Sequence, residues 1–185
     1  SPLDEQVPWV LGLYLAALLP LALLLVRGGE RPASLLSRLR FSPSVVLFWA
    51  LAIRVPFLLV EPSLSDDINR YTFEARVVQA GADPYELHPL SDELRELAST
   101  SPEWPAINHK ELPAIYPPGA QWSLAAIVAM SDDQRFMRAV FTGLDLALIA
   151  VLILLLRISG GARSRALLYA WHPLPALEIS GSGHF

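Results

Sequence analysis

Long runs of apolar residues constrain this chain more than any other feature. Residues 7–26 form a run of twenty without a charged side chain, and residues 139–156 form a run of eighteen in which Asp145 is the only charge. A helix rises about 1.5 Å per residue, so about 20 apolar residues cross the roughly 30 Å hydrocarbon core of a bilayer. The two runs therefore predict membrane-spanning helices and exclude an ordinary soluble globular domain.

The composition narrows the class further. Of the 185 residues, 53% are hydrophobic and 17% are charged, against about 25% charged in a typical soluble domain. This apolar content excludes a disordered chain. The absence of cysteine excludes disulfides, thiolate metal sites and cysteine nucleophiles. Because the sequence has no basic run and no basic–aromatic patch, we expect no nucleic-acid partner.

The distribution of charge predicts the topology. Arginines are concentrated in the short segments 27–40 and 157–165, which is typical of cytoplasmic loops. The segment 61–111 has eleven acidic and four basic residues, so we expect it on the opposite, external face. The predicted fold is all-α, a polytopic transmembrane helix bundle with a long external loop that carries interfacial helices. This single module comprises spans at about 7–26, 44–60, 137–156 and 166–179, a short or re-entrant segment at 117–131, and an external loop at 61–116.

The segment 117–131 leaves two topologies open. Its fifteen residues correspond to about 22 Å of helix, less than the roughly 30 Å that a span requires. If it crosses fully, the arginines of 157–165 lie outside, against the positive-inside rule. If it enters and returns, those arginines lie inside and residues 178–184 emerge outside. We favour the second interpretation.

The external loop begins with a helix signal that contains two adjacent carboxylates. Ser65 is a suitable N-cap, and Asp66 and Asp67 in the first turn suit the positive end of the helix dipole. Gly81 lies where a helix of about fifteen residues would end. Asp66 and Arg70 are i,i+4 neighbours, so a surface ion pair at a helix start also explains this local pattern.

Two charged residues lie well inside predicted spans, away from their ends. Arg54 is about 9 Å below the outer end of the span 44–60, and Asp145 lies within the span 137–156. A charge at such a depth is costly unless it is paired, lines a polar cavity or reaches the interface. The sequence therefore predicts either a contact between helices or a functional group at each position.

An ordered set of segments resembles a known family. The segments read SDDINRY at 65–71, EARV at 74–77, QAGADPY at 79–85, INH at 107–109, IYPPGAQ at 115–121, WHPL at 171–174 and GSGH at 181–184. In order and spacing they resemble the GT-C superfamily, and more closely its bacterial polyprenol-phosphate-mannose-dependent mannosyltransferase-like members. Because members of this superfamily are much longer, we expect this chain to be the N-terminal part of a larger protein.

The resemblance implies a membrane-embedded, inverting glycosyltransferase. It would move a hexose, expected to be mannose, from a polyprenyl-phosphate donor to a hydroxyl of a glycan or lipid acceptor. The expected location is the bacterial cytoplasmic membrane, with the site facing outward. The family's catalytic base carries over to Asp66 or Asp67, since a carboxylate can take the acceptor's proton. Arginine suits a phosphate leaving group, and the expected ligands of the donor phosphate are Arg54, Arg70 and Arg76.

Further residues are predicted to contact substrate or a metal ion. Aromatic side chains near a membrane surface can also form an interfacial belt, and residues 178–184 join the site only if they lie outside. The predicted substrate contacts are Tyr71, Glu74, Tyr85, His109, Tyr116, Gln121, Glu178 and His184. Asp66 and Asp67 could hold Mg²⁺ or Mn²⁺ with a third ligand, so a divalent cation stays an open option.

Two other functions fit the same residues. A membrane transporter or lipid flippase could use Arg54, Asp66 and Asp67 as a substrate path, and an inactive homologue could act as a structural subunit. A transporter would show polar residues in several spans. The polar residues here are concentrated in one external loop, which favours the enzyme.

Overall fold

The structure, a computed structural model, describes residues 42–61, 65–161 and 163–184, together with isolated positions among residues 12–19. Apart from those positions, the predicted first span lies outside the described residues. The regular elements of the described ranges are all helical, without a strand among them. This confirms the predicted all-α class, whereas the polytopic bundle stays a prediction.

Two long apolar helices and several shorter ones form the described chain. The α-helices are α1 (Pro43–Leu58), α2 (Asp67–Gln79), α3 (Arg95–Thr100), α4 (Pro118–Met130), α5 (Gln134–Ile158), α6 (Leu167–Ala170) and α7 (Pro173–Pro175). Turns of 3-10 helix lie at Asp92–Leu94, Trp104–Ala106 and Arg163–Ala166, and a π-helical segment lies at Ala176–Ser182.

Within the described ranges, α5 is the one helix long and apolar enough to cross a membrane. Its 25 residues correspond to about 37 Å. α1 is apolar but has 16 residues, about 24 Å, and α4, in the predicted re-entrant segment, has 13 residues, about 20 Å. Insertion of α1 and α4 into a bilayer therefore stays a prediction.

Residues 166–179, predicted as the last span, are divided into short elements. α6 ends at Ala170, and His172 is extended because the ring of Pro173 disfavours the helical conformation in the residue before it. From Ala176 the backbone continues as the π-helical segment to Ser182. Since π-helical turns are rare and often lie at functional sites, this segment is a candidate part of one.

The described chain divides into two compact units, and the single module stays a prediction. The apolar unit contains the described residues of 1–56 and 144–177, and the loop unit contains those of 57–143 and 178–184. The core of the apolar unit is formed by α1, α5 and the segment 166–170. Its buried residues are Val46, Ala50, Ile149, Ile153, Ala166, Leu167 and Ala170.

Helix α2 is the central element of the loop unit. Eight of its 13 residues are buried, and it takes part in two apolar clusters. The first cluster contains Ile68, Tyr71 and Ala75 with Leu124, Ile127, Val128, Met137 and Phe141. The second contains Phe73 and Val77 with Leu94 and Ile107. This double packing holds the N-terminus of α2, with its two aspartates, in a defined place.

A buried ion pair in the apolar unit joins Arg54 and Asp145, the two charges deep inside predicted spans. Arg54 Nε donates to Asp145 Oδ2 at 2.5 Å, and both side chains are almost fully buried. Arg54 also donates to the carbonyl oxygens of Ala50 and Ala170. The hydroxyl of Tyr169 donates to the other oxygen of Asp145 at 2.7 Å. The structure thus shows a contact between helices at these positions.

We expect Asp145→Leu to destabilise the protein by about 3–5 kcal/mol, because it leaves the Arg54 guanidinium buried without its counter-charge. The double variant Arg54→Met/Asp145→Leu should recover most of this loss, since no unpaired charge remains. Unfolding titrations in detergent would measure both. Equal stability of Asp145→Leu and wild type, or a double variant that loses more than the single one, would contradict this.

Candidate active site

The N-terminus of α2 places the two aspartates differently. The helix begins at Asp67, so Asp66 is the N-cap residue rather than the predicted Ser65. Ser65 still contributes, because its Oγ accepts a hydrogen bond from the backbone N–H of Asp67 at 3.2 Å. At the other end, Gly81 has a φ of 75°, the left-handed conformation that ends helices, as predicted.

Asp66 is exposed, and its carboxylate makes no hydrogen bond or ion pair with the residues that the structure describes. Asp67 is half-buried, and its carboxylate has a neighbour at each oxygen. Asn108 Nδ2 donates to Oδ1 at 3.1 Å, and Oδ2 lies 3.4 Å from His184 Nε2. Of the two predicted bases, Asp67 is thus the one that protein contacts hold in a fixed orientation.

His184 connects Asp67 to a second carboxylate. Its Nδ1 lies 2.7 Å from Glu178 Oε2, and its Nε2 lies 2.8 Å from Ser65 Oγ. Its backbone N–H donates to the carbonyl of Glu178 at 2.9 Å, so the ring and the main chain close the same turn. We use the name Asp67 cluster for the four residues Ser65, Asp67, Glu178 and His184. Of the predicted substrate contacts, His184 therefore meets Asp67, and Glu178 joins the cluster through His184.

Close packing fixes the backbone that leads to His184. Gly183 has a φ of 81°, and a Cβ at this position would lie 2.7 Å from Ile68 Cδ1 and 3.2 Å from Arg138 Cγ. A side chain here would displace the end of the Ile68 side chain and would have to adopt a strained positive φ. The hydroxyls of Thr142 and Ser180, 2.8 Å apart, attach the same segment to α5.

Arg138 is a buried residue that was not predicted as part of the site. Its Nη1 donates to the carbonyl oxygens of Val60 and Gly181, at 2.8 Å and 3.1 Å. Its Nε and Nη2 have no hydrogen-bond partner among the described residues. The sequence did contain a signal for Arg138. A charged residue inside a membrane span, here 137–156, is energetically costly unless it is paired or lines a polar cavity.

Arg70, predicted to bind the donor phosphate, is enclosed by the protein. Its Nε donates to Glu74 at 2.7 Å. Its Nη1 donates to the carbonyls of residues 108 and 109, and its Nη2 to those of residues 112 and 113. Every N–H direction of the guanidinium is occupied, so Arg70 holds the segment 108–113 on α2. This segment contains Asn108, the residue that contacts Asp67.

Glu74 and Gln121, predicted substrate contacts, belong to the same buried network. Gln121 Nε2 donates to Glu74 Oε2 at 2.6 Å, and both residues are almost fully buried. Burial raises the pKa of Glu74, an effect that the Gln121 hydrogen bond and the charge of Arg70 oppose. The structure gives these two residues an internal position that joins α2 to α4.

The predicted aromatic contacts form a group beside α2. The hydroxyls of Tyr71 and Tyr116 are 3.0 Å apart, and their rings meet edge to face with centroids 5.2 Å apart. Tyr85 is exposed and donates to the carbonyl of Tyr116 at 2.5 Å. Burial and the contact with Tyr116 raise the pKa of Tyr71, so its hydroxyl stays protonated.

The remaining predicted residues make contacts with other groups. Arg76 forms ion pairs with Glu103 at 2.8 Å and with Asp132 at 3.1 Å. The imidazole of His109 is exposed and lies 3.6 Å from Glu111, while its backbone has a φ of 46°. Arg54 lies in the apolar unit, in the pair with Asp145 described above.

The described residues do not favour a metal ion. They contain no group of three or more His, Asp or Glu side chains arranged to hold one. The adjacent carboxylates of Asp66 and Asp67 thus lack the third ligand that a shared cation would need.

Comparisons with known proteins identify the family. A search of curated proteins finds no significant match, and neither does a search of solved structures. One family model, described as the N-terminal domain of alpha-(1→6)-mannopyranosyltransferases, matches residues 6–185. This range covers nearly the whole chain and includes the Asp67 cluster. The chain belongs to the MptA/B family of alpha-(1→6)-mannopyranosyltransferases.

Proposed function

We propose that this chain forms the part of a membrane mannosyltransferase that contains its catalytic base. The reaction would transfer mannose from a polyprenyl-phosphate donor to an acceptor hydroxyl, with inversion at the anomeric carbon. The carboxylate of Asp67, held between Asn108 and His184 at the N-terminus of α2, is the observation that supports this most. Membership of a mannopyranosyltransferase family supports the sugar.

The chemistry is a single displacement. The acceptor oxygen forms a bond to the anomeric carbon while the bond between that carbon and the phosphate oxygen breaks. The electron pair of the broken bond leaves with the lipid phosphate. Asp67 takes the proton of the acceptor hydroxyl as the new bond forms. Asp67 suits this role better than Asp66 because fixed orientation lowers the reorganisation that catalysis requires.

Positive charge is needed where the phosphate leaves. Arg70 has no unused N–H, so we leave it out of the donor site. Arg138 keeps buried N–H groups without a partner among the described residues, and a phosphate oxygen would satisfy them. We propose Arg138 as a donor-phosphate ligand, and Arg76, which is partly exposed, as a second.

We further propose that the Asp67 cluster faces outward from a bacterial cytoplasmic membrane. The arginine-rich segments 27–40 and 157–165 support this orientation, because such loops stay on the cytoplasmic side. The length and apolar composition of α5 support its insertion as a span. The exposed tyrosine Tyr85 and the neighbouring Tyr116 would then lie near the interface, where they could contact a sugar.

Sugar transfer by the full-length protein in lipid vesicles tests this proposal. We expect labelled mannose to pass from polyprenyl-phosphate mannose to a mannose oligosaccharide through an alpha-(1→6) bond. A nucleotide-linked mannose serves as the matched control and should give no product. Transfer from the nucleotide sugar alone would overturn the proposed donor. Movement of the intact lipid across the bilayer, without a new glycosidic bond, would instead indicate a flippase.

A further inference from the structure

Besides the carboxylate proposed as the base, the Asp67 cluster contains an imidazole, His184, and a second carboxylate, Glu178. Glu178 contacts one nitrogen of His184, while the other nitrogen faces both Ser65 and Asp67. An ionised carboxylate accepts hydrogen bonds and cannot donate them. Glu178 Oε2 lies 2.7 Å from Nδ1, closer than the 3.4 Å between Asp67 Oδ2 and Nε2, and the Ser65 hydroxyl at 2.8 Å can donate to Nε2. We therefore assign the proton of a neutral His184 ring to Nδ1, toward Glu178, with the lone pair of Nε2 toward Ser65 and Asp67.

We propose that His184 receives the acceptor's proton from Asp67 and that Glu178 orients it for this purpose. This inference rests on the proposed transferase function, because it concerns the fate of the proton that Asp67 removes. Asp67 acts on the acceptor, whereas His184 is a positioning residue that acts through Asp67. The family description names an activity and assigns no role to His184 or Glu178.

The proton moves in two steps. It first passes from the acceptor oxygen to a carboxylate oxygen of Asp67, as the bond to the anomeric carbon forms and the phosphate leaves with its electron pair. It then passes from Asp67 Oδ2 to His184 Nε2, which restores the carboxylate and forms an imidazolium. The present distance of 3.4 Å is longer than a good hydrogen bond, and catalytic contacts of this kind commonly tighten when substrate binds.

The charges around His184 suit a transient imidazolium. Asp67 from α2 and Glu178 from its own segment each present a carboxylate to the ring. The positively charged Arg138 of α5 also packs against Gly183. Its hydrogen bonds go to main-chain carbonyls of the loop unit. A positive charge formed on the ring would therefore lie between two carboxylates.

The placement of His184 depends on contacts that other residues cannot reproduce. Gly183 allows the backbone to press against Ile68, the residue that follows Asp67. Arg138 and Thr142 of α5 hold the carbonyl of Gly181 and the hydroxyl of Ser180. The segment is therefore held on both sides, which maintains the Asp67–His184 distance.

The kinetic test compares His184→Gln and Glu178→Gln with wild type across pH, using the full-length protein in vesicles. We expect His184→Gln to lower kcat about tenfold to a hundredfold, with the KM for the lipid donor unchanged within about twofold. The acidic limb of the kcat profile should move to lower pH, since it then depends on Asp67 alone. Glu178→Gln should have a smaller effect of the same kind. His88→Gln, a change in a histidine outside the cluster, serves as the matched control.

A second readout does not depend on activity. Nitrogen NMR of the labelled histidine rings should show the Nδ1–H form for His184, and Glu178→Gln should reduce the share of that form, because an amide can donate to Nδ1. A His184→Gln profile that keeps the wild-type acidic limb, or an Nδ1–H form that Glu178→Gln leaves unchanged, would overturn the relay. If wild type transfers no mannose, the proposed function fails, while the NMR result still decides whether Glu178 orients His184.

Discussion

We expect Asp67→Asn to lower the rate of mannose transfer by about a thousandfold or more, because an amide cannot accept the acceptor's proton. The substitution preserves the size of the side chain and its place at the start of α2, so we expect the protein to fold. The rate constant for transfer from polyprenyl-phosphate mannose, measured in vesicles at saturating donor, would show the loss.

The neighbouring Asp66→Asn is the matched control for this experiment. Its carboxylate is exposed and has no partner among the described residues, so we expect less than about a tenfold loss of rate. Near-wild-type activity of Asp67→Asn would remove Asp67 from the mechanism. A large loss confined to Asp66→Asn would assign the base to the exposed aspartate instead.

Arg70→Met should destabilise the loop unit by about 3–5 kcal/mol, the usual cost of leaving a buried ion pair without one partner. The change leaves Glu74 buried beside an apolar side chain, and it removes the donors that four main-chain carbonyls of residues 108–113 use. Detergent or thermal unfolding would measure the loss. Hydrogen exchange should show that the backbone amides of residues 108–113 exchange faster in the variant than in wild type.

Arg95→Met is the matched control for this prediction. Arg95 also pairs with an acidic residue on its own helical stretch, Asp92, but both side chains are exposed. Exposed pairs contribute little, so its unfolding midpoint should equal that of wild type. If Arg70→Met has the midpoint and exchange of wild type, Arg70 does not hold this segment, and it returns to the list of possible phosphate ligands.

Local sequence signals predicted α2 well. Two acidic residues at its start and Gly81 after its end are features of the chain itself, and the helix observed at Asp67–Gln79 has these limits within two residues. The N-cap differed by one position, because Ser65 caps the helix from outside through its contact with the N–H of Asp67. Such signals succeed because helix ends depend on hydrogen bonds between near neighbours.

The roles of the arginines were not predictable in the same way. Arg70 carries the same charge as Arg76, but tertiary packing surrounds the first with carbonyls and places the second beside Glu103 and Asp132. Arg54 was predicted as a phosphate ligand from its depth, and the structure shows its partner Asp145 in a helix 91 residues later. Charge and depth alone do not identify the partner of a buried guanidinium.

The sequence by itself determined the helical class, the limits of α2, the pair of aspartates and the family resemblance that the match over residues 6–185 confirms. These depend on apolar runs, on capping and on short motifs, all of which are local. Only the tertiary structure decided that Asp67 rather than Asp66 meets His184, which lies 119 residues after Ser65 in the chain. That contact requires Gly183 to pack against Ile68, and packing between distant segments has no local pattern in the sequence.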